Sequence, residues 1–313
     1  MTGAGATRPS LARAVHWLGA PGVGRAMLLM LVASMASGGM GATIRYLGQT
    51  LHAFEVSFFR CIFGFIALLP FMIRSGIPSL RTTRFGMHAL RGTLTAIEML
   101  LNFLGLSLTP LAKAVAIGFS SPLFAALLAM LFLGEAVRMR RIGTLVVGFI
   151  GTLVVLRPGA VTIDAGSLAL IGYAFFWGWA MVVIKSVART ESTMVATIYM
   201  YLFTTPLTFL AALPFWRTPT PDELGWLVVL GILGSASALA FAQALKDADI
   251  TAILPLDFMR LMWASVLGFL VFSEIPEIWT WIGGAMIFGA ATSVALGEGR
   301  RRIARPPPDG QRG

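Results

Sequence analysis

FGMHALRGTLTAIEMLLNFLGLSLTPLAKAVAIGFSSPLFAALLAMLFLGE, running from Phe85 to Glu135, returns in altered form as LGWLVVLGILGSASALAFAQALKDADITAILPLDFMRLMWASVLGFLVFSE, from Leu224 to Glu274. Gly86, Gly92, Leu94, Leu106, Phe119, Ala125, Leu131 and Glu135 recur as Gly225, Gly231, Leu233, Leu245, Phe258, Ala264, Leu270 and Glu274, each pair 139 residues apart. This is an internal repeat. Each copy lies in a train of apolar segments long enough to cross a bilayer. An odd number of spans per half makes the second copy enter the membrane the other way up, a common plan of secondary transporters.

Outward from the repeat, the apolar segments are Met27–Tyr46, Ala53–Ile73, Phe85–Gly105, Leu111–Leu133, Ile142–Leu156, Ser167–Ile184, Met194–Phe215, Leu224–Leu245, Ile253–Phe272 and Trp279–Leu296. A spanning helix needs about 20 apolar residues, and in lipid only helices and closed barrels satisfy their own backbone. The runs are continuous rather than alternating, which excludes a barrel. The expected fold is an all-α integral membrane protein with ten transmembrane helices arranged as two inverted five-helix repeats. The repeats are read at 27–157 and 167–297, after an N-terminal segment 1–26. Between them a loop over 158–166 gathers Pro158, Gly159, Asp164 and Gly166. A basic tail follows over 298–313, with Pro306, Pro307 and Pro308, and is expected to be disordered. Small residues such as Ser34, Gly38, Gly41, Gly143, Gly148, Gly151 and Thr152 mark close helix contacts.

Composition agrees. Of 313 residues, 57% are hydrophobic and 12% charged, with a mean hydropathy of +0.82, more apolar surface than a water-soluble fold can hide. The net charge is +10 and the pI about 10.9. The basic residues sit in connectors and at the ends, so nucleic acid is not an expected partner. Counted loop by loop they crowd one side, from Arg8, Arg13 and Arg25 through Arg138, Arg140 and Arg141 to Arg300–Arg302. That bias places both termini in the cytoplasm of a multi-pass protein of the cell inner membrane. The single cysteine, Cys61, has no partner for a disulfide. No nucleotide-binding glycine loop, zinc-protease motif or hydrolytic triad occurs, and His16, His52 and His88 lie outside or at the margins of spans. Neither enzymatic activity nor a cofactor is expected.

Ionisable residues inside spans are costly and point to a pathway or a buried pair. Arg91, Thr95, Glu98 and Asn102 recur at helical steps as one polar stripe. An ion pair of Arg91 with Glu98 or with a neighbouring helix, with Asn102 bonding between helices, is the structural account of it, and substrate contact by Glu98 and Asn102 the functional one. In the ninth span Asp257 and Arg260 stand one turn apart, followed by Trp263 and preceded by Pro255. They read either as an ion or zwitterion site or as a self-compensating pair. Arg60 could grip a carboxylate or pair with Glu55 or Glu98. Ser120, Ser121 and Pro122 sit mid-span, where proline frees carbonyls or merely kinks the helix. Trp177, in the aromatic run from Tyr173 to Trp179, and Gln243 complete the candidate substrate-binding set. Tyr199 and Tyr201 are weaker candidates. Arg60, Arg91, Pro122 and Pro255 are assigned structural or gating roles. Because Pro122 and Pro255 do not align between copies, paired helix breaks are not expected. The polar content is not repeated either: Glu98 corresponds to Ser237, Arg91 to Leu230, Ser121 to Arg260 and Gly118 to Asp257.

The pattern resembles the drug/metabolite transporter superfamily, specifically the bacterial EamA-type proteins with ten spans. The residues carrying the likeness are Phe58-Phe59-Arg60, Leu90-Arg91-Gly92, the segment Leu108 to Pro122, Phe132-Leu-Gly-Glu135, Gly143 and Leu156-Arg-Pro-Gly159. The second copy keeps Glu274 and Gly283 but has Met259-Arg260-Leu261 where the first has its serine-proline element. The resemblance implies a carrier working by alternating access. Among its relatives are exporters of amino acids and carriers for riboflavin, S-adenosylmethionine, carboxylates and sugars. The expected function is export of a small polar metabolite, an amino acid or related compound. The alternative is uptake of a larger organic solute such as riboflavin or S-adenosylmethionine, and the different-class alternative a non-transporting membrane scaffold. Expected partners are the small-molecule substrate, membrane lipids and a coupling proton, on a monomer or homodimer.

Overall fold

The computed structural model describes residues 23–74, 82–133, 139–157, 164–187, 191, 193–247 and 256–303. Among them ten spans follow in order: α1 (Val23–Leu47), α2 (Ala53–Arg74), α3 (Phe85–Leu108), α4 in two segments (Leu111–Gly118 and Ser121–Leu133), α5 (Met139–Leu156), α6 (Ala165–Val187), α7 (Thr193–Ala212), α8 (Pro221–Asp247), α9 (Met259–Phe272) and α10 (Ile278–Ile303). Seven of these are long and apolar enough to cross a membrane, and shorter apolar helices at Ile142–Leu156, Met259–Phe272 and Ile278–Ala290 supply the other three. The N-terminal segment up to residue 22, the connector 158–163, Glu135, Pro255 and the tail from 304 lie outside the described residues.

The packing carries the two-fold relation that the repeat implies. α3 lies along α6 as α8 lies along α1; α3 meets α7 as α8 meets α2; the second segment of α4 meets α6 as α9 meets α1. The α2–α7 and α5–α10 contacts map onto themselves. Glycines at matching crossings explain why the backbones come so close. A Cβ on Gly92 would collide with Phe203, and one on Gly231 would meet the Phe63 Cβ at 2.5 Å. Likewise a Cβ on Gly38 would stand 2.8 Å from that of Trp263, and one on Gly178 2.9 Å from that of Phe124.

Polar contacts gather at the two ends of the bundle. At one, Arg25 pairs with Asp247 at 3.2 Å and the Thr82 hydroxyl donates to Glu191 at 2.6 Å. At the other, Arg45 pairs with Glu274, Lys113 with Asp164 at 3.3 Å and Arg157 with Glu277 at 2.9 Å. Successive spans thus run antiparallel between an Arg25 end and a Glu274 end.

The fourth span, read as one segment over Leu111–Leu133, is divided, and of the two readings of Ser120, Ser121 and Pro122 the plain proline kink is not the one found. Its interruption falls at Phe119–Ser120, ahead of Pro122, which sits in the first turn of the second segment, where a proline loses little. The Ser120 and Ser121 hydroxyls donate to the Ile117 and Gly118 carbonyls at 2.7 Å each, capping the interrupted first segment.

Candidate functional site

The α4 interruption has a counterpart. α9 proper begins at Met259, after a helical turn at Leu256–Asp257 that breaks at Phe258, the repeat equivalent of Phe119. The two phenylalanines stack on each other, ring centroids 5.8 Å apart and planes at 22°. The absence of paired breaks expected from the misaligned prolines is therefore corrected: serine hydroxyls and backbone turning make the first break without needing Pro122. Pro255 lies outside the described residues.

Around this stacked pair the sequence candidates separate into those brought together and those left apart. Asp257 and Arg260 form an ion pair at 3.0 Å, and the Arg260 guanidinium lies over the Phe119 ring, 5.1 Å from its centroid. On the opposite half, Glu98 of α3 is 8% exposed, and its charged neighbour is Arg60 of α2. Arg60 also engages the Tyr201 hydroxyl, and its Nε and Nη2 stand 3.3 Å from where Gly234 of α8 would carry a Cβ. Of the two carboxylates open to Arg60, Glu98 is the one within its electrostatic reach. Glu55 instead accepts the backbone N–H groups of His52 and Arg217, at 3.1 and 2.6 Å, near the Glu274 end. Asn102 is half-buried one turn beyond Glu98.

Tyr173 of α6 joins the two groups. Its ring edge lies 3.3 Å from where Gly118 would carry a Cβ. Ser121, Glu98, Asp257 and Arg260 are all within electrostatic reach of its hydroxyl. Trp263, one turn past Arg260, rests on Gly38 of α1, and its indole N–H is buried without a hydrogen-bond partner among the described residues, as is the Arg260 Nε. Such orphaned donors are ready to meet an acceptor brought by a ligand.

Three candidates are not part of this assembly. The Arg91–Glu98 pair is not formed: Arg91 donates from Nη1 to the Ala196 carbonyl of α7 at 3.1 Å. Trp177 packs in a separate apolar cluster with Leu94, Ala180, Val183 and Ala196. Gln243 donates to Asp247 at 2.8 Å, at the Arg25 end. Sequence reasoning left Tyr173 out of the site although it named the aromatic run. The available signal was that Tyr173 alone in that run carries a hydroxyl, set one turn from Trp177 towards the α4 break.

At the Glu274 end both halves meet again. Beyond its pair with Glu274, Arg45 donates to the Thr109 carbonyl at 2.6 Å and caps the Phe272 ring, while Glu274 accepts the Leu111 N–H at 2.8 Å. A cavity of about 130 Å³ lies here, bordered by Lys113, Arg157, Ser265, Glu274 and Thr280. Outside the spans, burial pushes the His52 imidazole down, with Glu55 opposing it, and the ring stacks on Phe215 at 3.8 Å. Burial alone would raise the Asp164 carboxyl; the Ser167 N–H at 2.6 Å and the Lys113 ammonium outweigh it and hold Asp164 below its ordinary value.

The chain matches the EamA-like transporter family twice, over residues 24–157 and 164–296. It is 34% identical to an S-adenosylmethionine uptake transporter of Rickettsia bellii, over 87% of this chain and 92% of the relative. It is 32% identical to a riboflavin transporter of Vibrio cholerae, over 83% and 89%. It is 26% identical to a pseudopaline exporter of Pseudomonas aeruginosa, over 86% and 95%. A solved crystal structure, 21% identical, shares the fold with a TM-score of 0.60 over 90% of this chain and 99% of its own.

Proposed function

The chain belongs to the EamA-like transporter family and is a multi-pass membrane protein, and on that premise we propose that it takes up an organic solute of the size and ring-bearing character of S-adenosylmethionine or riboflavin. The charge bias of the connectors supports a reading with both termini in the cytoplasm, which makes the Arg25 end cytoplasmic and the Glu274 end external. The two five-helix repeats, 27–157 and 167–297, are the bodies that would move against each other around the central assembly. One chain holds both halves of that assembly, so a monomer suffices.

The observation that carries this reading is the asymmetric pair of charge groups around the stacked breaks. Arg60–Glu98 comes from one repeat and Asp257–Arg260 from the other, with Tyr173 between them. Their formal charges cancel, so a neutral solute such as riboflavin adds no unpaired charge to a low-dielectric interior, while the net positive charge of S-adenosylmethionine, a sulfonium and an ammonium against one carboxylate, would be met by Glu98 or Asp257. The relatives named for uptake of S-adenosylmethionine and for riboflavin match this chain at higher identity than the named exporter. That moves weight from amino-acid export, the leading expectation from sequence, to its uptake alternative.

The test is flux in proteoliposomes with S-adenosylmethionine, riboflavin and an amino-acid mixture, each with and without a pH gradient. Saturable flux of either ring-bearing solute is expected. Saturable amino-acid flux without either of them would return the export reading, and no saturable flux of any kind would favour the scaffold. Stimulation by the pH gradient would assign proton coupling, with Glu98 as the first residue to neutralise.

A further inference from the structure

Tyr173 holds a position that neither charge pair holds by itself. It is half-buried and packs against the main apolar core, so part of its ring is left uncovered by protein. One ring edge stands 3.3 Å from where Gly118 would carry a Cβ, beside the buried first break, where Phe119, Ser120 and Ser121 are all closed off. The second break is different: Asp257, Phe258, Met259 and Arg260 are each half-buried. A solute touching both Glu98 and the Asp257–Arg260 pair must therefore cross the face of a ring whose position is already set.

We propose that Tyr173 is the specificity-determining platform of the carrier, on which a planar ring of the solute stacks while its polar ends reach Glu98 on one side and Asp257–Arg260 on the other. The inference rests on the uptake reading above and sharpens it: the cargo needs a flat, conjugated ring, and a ring-less amino acid lacks the main contact. A tyrosine wedged by its ring edge against Gly118 offers such a surface at little conformational cost, and aromatic stacking supplies a preference of about tenfold. The Trp263 indole N–H and the Arg260 Nε, both unpartnered, add donors suited to acceptor atoms on a heterocycle or its substituents.

The experiment compares wild type with Tyr173→Phe, Tyr173→Leu and Ser121→Ala. It uses two readouts: thermal stabilisation of the purified, detergent-solubilised protein by adenosine, riboflavin or methionine, and inhibition by the same compounds of labelled S-adenosylmethionine or riboflavin uptake. Adenosine or riboflavin should stabilise wild type more than methionine does. Tyr173→Phe should weaken binding of every compound about threefold while keeping the preference for rings, and Tyr173→Leu should remove that preference with a further loss of about tenfold for ring compounds. If Tyr173 only ties α6 to the α4 break, then Phe, Leu and Ser121→Ala will behave alike, and the proposal falls. It falls equally if ring compounds do not stabilise folded wild type. Ring-selective stabilisation without any flux would instead overturn the uptake reading while leaving the platform standing.

Discussion

The break at Phe119 and the break at Phe258 occupy the same place in the repeat and stack on each other, yet they are built from opposite chemistry. At the first, two serine hydroxyls cap backbone carbonyls and the surroundings are closed. At the second, Asp257 and Arg260 stand where the first copy has Gly118 and Ser121, and the turn is half-open. The comparison teaches that the repeat conserves where helices interrupt and cross, while each copy fills those places differently. Interruption is useful to both because it frees backbone groups deep in the membrane, where only protein or a polar cavity can satisfy them. On the proposed reading, the charge carried at only one of the two breaks serves to hold a single solute in one orientation.

The widest divergence between the halves is Glu98 against Ser237, and exchanging their chemistry breaks the comparison hardest. Glu98→Ser leaves Arg60 facing Tyr201 without a counter-charge. Removing one partner of a buried pair costs about 3 kcal/mol or more, so we expect thermal stability to fall and flux to drop by about two orders of magnitude in the protein that remains folded. The control at the equivalent position, Ser237→Ala, removes hydroxyl contacts to Ser37 at 2.8 Å and to the Ala33 carbonyl at 3.0 Å, costing about 1 kcal/mol with flux largely retained. Equal losses from the two substitutions, measured by fluorescence-detected gel filtration after heating and by flux, would show that Glu98 acts only as packing.

Where the halves agree, substitutions should have matching effects. Gly92→Ala drives a methyl into Phe203, and Gly231→Ala drives one into Phe63 and the Gly64 backbone. Each should cost about 1–3 kcal/mol of overpacking, lower the apparent Tm by similar amounts and leave the ring preference of surviving protein unchanged. A large loss at one glycine and none at the other would mean that the crossings are not equivalent.

These contrasts also explain what the sequence could and could not disclose. Gly92 and Gly231 were legible because close helix approach tolerates no side chain, so the repeat survives in the letters. The breaks were not, because proline was the signal sought and Pro122 and Pro255 are not equivalent, whereas Phe119 and Phe258, both in the repeat list, mark the interruption. Arg91 and Glu98 share a face of α3, and periodicity treats them as one stripe. They part because α7 presents the Ala196 carbonyl at the level of Arg91, while α2 presents Arg60 at the level of Glu98, and inter-helix depth of that kind has no signature within a single helix. Tyr173 was hidden for the same reason: its helix is aromatic on several faces, and only the α6–α4 crossing decides which ring looks inward.

The smallest expected effect comes from the ends of the bundle, where the halves mirror each other with charges reversed. The first repeat opens at Arg25, paired with Asp247 from the second; the second opens at Asp164, paired with Lys113 from the first. Asp247 is 5% exposed and Asp164 45% exposed, so Asp247→Asn should cost more than Asp164→Asn. For Asp164 the pH dependence follows from its lowered folded pKa. The carboxylate's contribution is complete above the unfolded value, about 3.9, and is lost as pH falls through the folded value beneath it. Solvent screens so exposed a pair, and its loss should lower the apparent Tm by roughly 1–2 °C at pH 7. Asparagine can still accept the Ser167 N–H, which isolates the charge. The gap between wild type and Asp164→Asn should therefore close as the pH is taken below about 4 and narrow in high salt. No gap at any pH in that range would mean that Asp164 acts through its cap alone, and that the charge reversal between the two ends contributes nothing to holding the repeats together.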